Sequence, residues 1–348
     1  MSMPCDRIEL APGYTVSRLV KGGWHLAGGH GPVDRAQAIQ DMAEFVLAGI
    51  TTFDCADHYT GVEELIGDFR AAHPELGRQV QIHTKCVPDY DRMTSCDATY
   101  LQSIIDRSLM RLRTDCLDLV QFHWWNYSVP GYVEAMQALD RLRQAGKIRF
   151  LGLNNSNVAR TRELLDAGIP LLSTQVQYSC IDTRPEKGLV ELCQQRGVHL
   201  LCYGSLAGGF MARSWLNQPE PFEPLGNRSL TKYKLIIEDA GGWTWFQNLL
   251  ALLDDIAREH DVDLPQVATR WVLDQTQAAC AIVGATSSRH LQANLRASGL
   301  VLTADDHARI RALMDSREPV PGDVYDLERD KTGRHGRIMR YNLNEGRH

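Results

Sequence analysis

The stretch Asp34–Asp54, D-R-A-Q-A-I-Q-D-M-A-E-F-V-L-A-G-I-T-T-F-D, holds one complete unit of this chain's organisation. Ile39, Met42, Ala43 and Val46 recur at helical spacing and give one apolar face. Asp34, with Gln37 three places on, resembles a capping box, and Gly49 stands where such a helix ends. Ile50–Asp54 then turns β-branched and aromatic, the composition of a strand. Outward from this unit the rhythm repeats. Further strands are predicted at Ser17–Val20, Val80–Cys86, Leu117–His123, Ile148–Leu153, Thr174–Gln177, His199–Tyr203 and Ala281–Val283. Helices are predicted over 61–72, Leu101–Leu112, Val133–Leu142, 158–167, 188–196, Leu249–Ile256 and 289–297.

Eight strands alternating with helices imply right-handed crossovers and a closed α/β structure, the (β/α)8 TIM barrel. The competing doubly wound fold needs a G-x-G-x-x-G turn after its first strand. Gly28-Gly29-His30-Gly31 lacks the third glycine, runs into Pro32 and reads as a surface turn. The whole chain, 1–348, is therefore read as a single barrel domain with its core at about 16–313. Two stretches lack the rhythm: 208–245, read as an extended loop after the seventh strand, and the C-terminal tail 315–348. A barrel needs about 250 residues, so these stretches and the first 19 residues account for the surplus length.

Composition narrows the function. The chain has 348 residues, 44% hydrophobic and 23% charged, with a net charge of −6. No basic block offers itself to nucleic acid, and no apolar run reaches the roughly 18–20 residues of a membrane span. The start, M-S-M-P-C-D-R-I-E-L, lacks the pattern of a secretory signal. The nine cysteines, Cys5, Cys55, Cys86, Cys96, Cys116, Cys180, Cys193, Cys202 and Cys280, are odd in number and form no CxxC pair. That usage predicts free thiols in a reducing, cytoplasmic setting and no metal site.

A barrel carries its chemistry at the C-terminal ends of its strands. There the sequence puts Asp54, Lys85 and His123, with Tyr59 five positions beyond Asp54. Together they make a proton-transfer device. Tyrosine, with a pKa near 10, is a weak acid at neutral pH, and a nearby ammonium favours its ionised form. Asp54 would pair with Lys85, His123 would donate a hydrogen bond to a carbonyl oxygen, and Tyr59 would protonate it as hydride reaches carbon. No side chain donates hydride, so a cofactor is required. Asp57 and His58 read as a turn that supports Tyr59, and His25 and His30 as loop residues. Trp24 reads as a pocket wall, while Trp125, Trp243 and Trp245 fit core and pocket equally.

This order, D-x-A-x-x-Y at Asp54–Tyr59, T-K at Lys85 and a strand-end His123, resembles the catalytic tetrad of the aldo-keto reductases. The resemblance covers about Val16–Leu313 and implies a barrel that takes a nicotinamide cofactor without a Rossmann domain. It implies that Asn154, Asn155 and Gln175 hold the carboxamide and that Tyr203 stacks on the nicotinamide ring. Gly22 also falls among the cofactor positions. Ser205, Leu206 and Gly208 match the pyrophosphate loop. Gly284, Thr286 and Asn294 match the adenosine-phosphate segment, where Arg289 and His290 are the cations. Gly22-Gly23-Trp24 and Trp124 match the substrate mouth. The resemblance implies an NAD(P)H-dependent oxidoreductase, NADP(H) favoured and NAD(H) possible, acting on an aldehyde, ketone, sugar or alcohol. A second class shares the resemblance: a cofactor-binding regulatory subunit like the potassium-channel beta subunits, with little turnover. Aromatic walls point to an apolar carbonyl. Arg317, Arg329 and Arg334 in the tail are solvated by default and are the candidates to meet an anionic substrate.

Overall fold

The computed structural model describes residues 5–344; residues 1–4 and 345–348 of the expected chain and tail lie outside the described residues. A hairpin comes first, β1 (Arg7–Ala11) antiparallel to β2 (Tyr14–Ser17), turning at Gly13 with a positive φ of 71°. Eight parallel strands then close a barrel: β3 (Leu19–Gly22), β4 (Thr52–Asp54), β5 (Gln81–Cys86), β6 (Leu117–Phe122), β7 (Ile148–Asn154), β8 (Leu171–Gln177), β9 (His199–Tyr203) and β10 (Ala278–Gly284). Each pairs with its neighbour in chain order, and β10 returns to β3.

The strand expected over Ser17–Val20 is corrected. It joins the end of the hairpin to the start of the first barrel strand. The chain breaks there because Ser17 turns its polar groups on its neighbours: its Oγ donates to the Leu19 carbonyl at 2.7 Å, and its N–H donates to Thr52 Oγ1 at 2.9 Å.

The helices ring the barrel: α1 (Arg35–Leu47), α2 (Val62–Ala72), α3 (Pro74–Gly77), α4 (Ala98–Leu112), α5 (Tyr132–Gln144), α6 (Val158–Asp166), α7 (Leu189–Arg196), α8 (Arg228–Asp239), α9 (Gly242–Glu259), α10 (Leu264–Leu273), α11 (Leu291–Gly299), α12 (Ala304–Asp315) and α13 (Asp326–Arg329). The expected start of α1 is met, since Asp34 accepts from the Gln37 N–H at 3.1 Å and satisfies an otherwise orphaned donor.

The stretch 208–245 is not one long loop. It holds α8 and the start of α9, with short turns of 3-10 helix at Ala207–Gly209 and Arg213–Trp215. Pro219, Pro221 and Pro224 hide the helix from a composition-based reading. Asn227 nevertheless caps α8 by accepting from the Leu230 N–H, and Tyr233, Ile236 and Ile237 bury its inner face. Trp243 and Trp245 resolve as core: Trp243 packs with Phe210, Trp215 and Phe246. Among the described residues no helix is long and apolar enough to cross a membrane, and no cluster could hold a metal ion. All nine cysteines are free thiols.

Candidate active site

Alternation along the strands decides which side chains face the barrel axis. Asp54 ends β4, Lys85 lies next to last in β5, and His123 follows β6. All three are buried, and with Tyr59 they open on one cavity of about 360 Å³. Lys85 Nζ donates to Asp54 Oδ2 at 2.7 Å and to the Cys55 carbonyl at 2.8 Å, and lies 4.9 Å from the centre of the Tyr59 ring. Burial alone would lower the pKa of Lys85, but Asp54 and then Tyr59 outweigh it and raise it, so the ammonium persists. Burial raises the pKa of Tyr59, against the opposing pull of Lys85, so Tyr59 stays protonated at neutral pH.

Asp54 is further engaged by two buried amides. Its Oδ1 accepts from Gln175 Nε2 at 2.6 Å and from Gln121 Nε2 at 3.1 Å. Gln121 escaped the sequence reading, although it stands two places before His123 and so shares its face of the strand. Gln175 Oε1 accepts from Asn154 Nδ2 at 3.1 Å. Asn155, at φ 57°, accepts from the Tyr203 hydroxyl at 2.8 Å. Asn154, Asn155, Gln175 and Tyr203 therefore form one bonded chain beside Asp54, and all line the cavity.

The polarity expected of His123 is corrected. Its Nδ1 lies 3.0 Å from the Asn154 carbonyl, which can only accept, so Nδ1 carries the proton. Burial, and then Arg329, lower its pKa well below 6.5, and the ring is neutral. Nε2 is then an unprotonated acceptor, buried and without a protein partner. In that state His123 can accept from a hydroxyl and cannot donate to a carbonyl.

The expected pocket role of Trp124 is also corrected. Chain alternation past β6 sends His123 and Trp125 toward the cavity and Phe122 and Trp124 away from it. Trp124 is fully buried beside Phe122, with Nε1 donating to the Val129 carbonyl. Trp125 lines the cavity instead, its ring centre 4.4 Å from that of His123. Trp24 lines it too, edge-on to Tyr59 at 5.1 Å. His25 and His58 also line the cavity, and His30 reaches Ser229 Oγ at 2.9 Å. Asp57 is buried and accepts from the Val87 N–H at 3.0 Å, so it braces the turn from inside.

The expected cofactor positions divide. Gly22, Ser205, Leu206, Gly208 and Gly284 line the cavity. Thr286, Arg289, His290 and Asn294 are not among its lining residues. Arg289 and His290 are exposed and bonded to one another at 3.0 Å. Ser205 Oγ is buried without a partner, and Gly204 and Gly208, at φ 82° and 64°, hold the loop backbone close against Tyr233. An anionic, ring-bearing cofactor fits these features: an orphaned hydroxyl, a glycine-shaped cradle and the Tyr203 ring.

The tail supplies one wall of the cavity. Tyr325, Ile338, Met339, Arg340 and Leu343 line the cavity, and Arg329 donates to the Trp124, Trp125 and Asn155 carbonyls. Arg317 is taken up by the Cys180 and Ile181 carbonyls and Arg334 by Glu238 and Asp239. None of these three arginines is among the residues that line the cavity.

Comparison with known proteins agrees with this architecture. The model of the Aldo/keto reductase family matches residues 18–315. The "NADH-specific methylglyoxal reductase" of Escherichia coli is 26% identical over 334 residues, 87% of this chain and 96% of that protein. An NADP(+) aldo-keto reductase of Schizosaccharomyces pombe is 26% identical over 336 residues, 92% and 94% of the two chains. A Bacillus halodurans aldo-keto reductase solved in its holo form superposes with a TM-score of 0.70 at 25% identity, over 94% of this chain and 100% of that one.

Proposed function

The chain belongs to the aldo/keto reductase family, and on that premise we propose that it interconverts a small carbonyl compound and its alcohol with a nicotinamide cofactor, using Tyr59 as proton donor and acceptor. The observation that carries this reading is the buried Lys85–Asp54 pair set against the Tyr59 ring at the floor of a cavity. The bound nicotinamide would supply the hydride that no protein group can.

The protein's own part is proton handling and positioning. Tyr59 gives its proton to the carbonyl oxygen during reduction and recovers it from the alcohol during oxidation. Lys85 stabilises the phenolate that results, and Asp54, held by Gln121 and Gln175, keeps Lys85 in place. His123 Nε2 accepts from the hydroxyl of the alcohol form. Asn154, Asn155, Gln175 and Tyr203 would hold the nicotinamide, and Ser205, Leu206 and Gly208 the pyrophosphate. The exposed Arg289–His290 pair, which meets no carboxylate among the described residues, supports NADP(H) over NAD(H). The named relatives divide between the two cofactors. A reducing cytoplasmic setting suits the nine free thiols.

Tyr59→Phe tests the mechanism. Turnover on an aldehyde panel falls by about 10²–10⁴, while fluorescence titration finds NADPH binding within about twofold of the wild type. Undiminished turnover in this variant overturns the proposal. The same titration with NADH and NADPH tests cofactor choice, NADPH being expected to bind more tightly.

A further inference from the structure

The charges that face the cavity do not balance. Lys85, Arg228, Lys232 and Arg340 line it against a single carboxylate, Asp54, in a chain whose net charge is −6. Asp54 is already committed to Lys85 at 2.7 Å. Three further cations therefore face the cavity, of which Arg228 stands beside the loop proposed for the pyrophosphate, leaving Lys232 and Arg340 without an assigned anion.

These three differ in what they already hold. Arg228 opens α8 and donates to the Ile338 carbonyl, so it ties the tail to the helix that covers the 204–209 loop. Arg340 is exposed at the lip of the cavity and has no hydrogen-bond or ion-pair partner among the described residues. Lys232, one helical turn beyond Arg228, lies at the reacting end. Its Nζ is 3.5 Å from the Tyr203 hydroxyl and 4.7 Å from that ring's centre, which sets it beside the hydroxyl and leaves the middle of the ring face clear. It is 5.3 Å from the Tyr233 ring centre and 6.0 Å from that of Tyr325, whose ring lies 5.5 Å from His123. Among the described residues its three N–H donors meet no carboxylate within salt-bridge distance, only that long contact with a phenol. Burial lowers its pKa to about 8, against the more distant attraction of Glu328, so an arriving anion would relieve a real desolvation cost.

We propose that the substrate is a carbonyl compound bearing an anionic group, a carboxylate or phosphate, and that Lys232 receives that group while Arg340 guides it in at the lip. The inference rests on the proposed carbonyl chemistry of the same site and deepens it. It also moves the anion from Arg317, Arg329 and Arg334, none of which lines the cavity, to cations that do. Lys232 is thus a specificity residue, apart from the proton-transfer group.

The test pairs two aldehydes of equal chain length, succinic semialdehyde and butanal, with NADPH as reductant. In the wild type kcat/KM favours the acid at least tenfold. In Lys232→Met that ratio falls at least tenfold, and Lys232→Arg recovers most of it, which a merely structural lysine would not explain. An equal preference for both aldehydes in the wild type, or an unchanged ratio in Lys232→Met, overturns the inference. So does a tenfold loss of NADPH affinity with the ratio unchanged, since Lys232 would then serve the cofactor. If neither aldehyde is reduced, the carbonyl reading fails at that point, and calorimetry on the NADP-loaded protein decides the anion separately. Binding of 4-hydroxybutyrate that is lost in Lys232→Met upholds the anion site, and absence of binding to the wild type rejects it.

Discussion

At Lys85 two opposing effects meet, and their balance sets the chemistry of the site. Withdrawal from water disfavours the ammonium, while a carboxylate at 2.7 Å favours it more, so the charge stays. The pKa of Tyr59 is raised and that of His123 lowered, both chiefly by burial. A proton donor with a raised pKa stays protonated up to and beyond its ordinary value near 10, and a histidine with a lowered pKa stays neutral above about 6.5. For a neutral aldehyde at saturating cofactor, kcat for reduction is therefore expected to be flat between about pH 6.5 and 10. It falls only above that window, as Tyr59 loses its proton. A bell centred near pH 6.5 in the measured profile would assign the essential proton to His123 instead. The types and order of these residues were legible in the chain. The state of His123 was not, because it depends on one carbonyl 31 residues away in sequence.

At the scale of elements, the tail from Arg317 onward is what completes the cavity. It is fastened through a buried triad. Arg184 pairs with Asp182 at 2.7 Å and with Glu328 of α13 at 3.0 Å, and all three side chains are shielded from water. Burial alone would raise the pKa of Glu328, but Arg184 holds it down to about 2. Because the folded value lies below the unfolded one, near 4.3, the stabilisation is present above about pH 4.3 and is lost as pH falls through 2. Glu328→Gln weakens one of the two buried contacts of Arg184 and leaves Asp182 as its counter-ion, a defect that costs about 1.5–3 kcal/mol. Limited proteolysis is expected to cut that variant first within 317–344 and to do so at neutral pH. The wild-type tail should become comparably sensitive only in acid. These residues are not legible in the sequence because their partners lie on other elements, and helical or strand periodicity carries no trace of such pairings.

Across the whole molecule, the two ends of the barrel have separate duties. The hairpin β1–β2 closes the end opposite the cavity. Tyr14 is buried there, its hydroxyl 3.0 Å from His83 Nε2, and it clusters with Leu10, Val16, Val20, Leu119 and Leu201. In such barrels the bottom face carries stability and the top face chemistry. Tyr14→Ala is therefore expected to cost about 3–5 kcal/mol, as for other large aromatic truncations, seen as a lowered denaturant midpoint. At 25 °C kcat should stay within about twofold of the wild type. A loss of kcat without a loss of stability would contradict this division.

The eightfold strand–helix alternation, and the order of Asp54, Tyr59, Lys85 and His123 along it, were written in the chain. Both follow from local rules: the periods of helix and strand, and the placing of polar residues at strand ends. It took the folded barrel to turn Trp125 rather than Trp124 toward the cavity and to bring Gln121 to the support of Asp54. The same holds for the α8 and tail cations at the cavity rim. Those outcomes turn on pairings between segments far apart in the chain, and on which carbonyls and carboxylates have already claimed each donor.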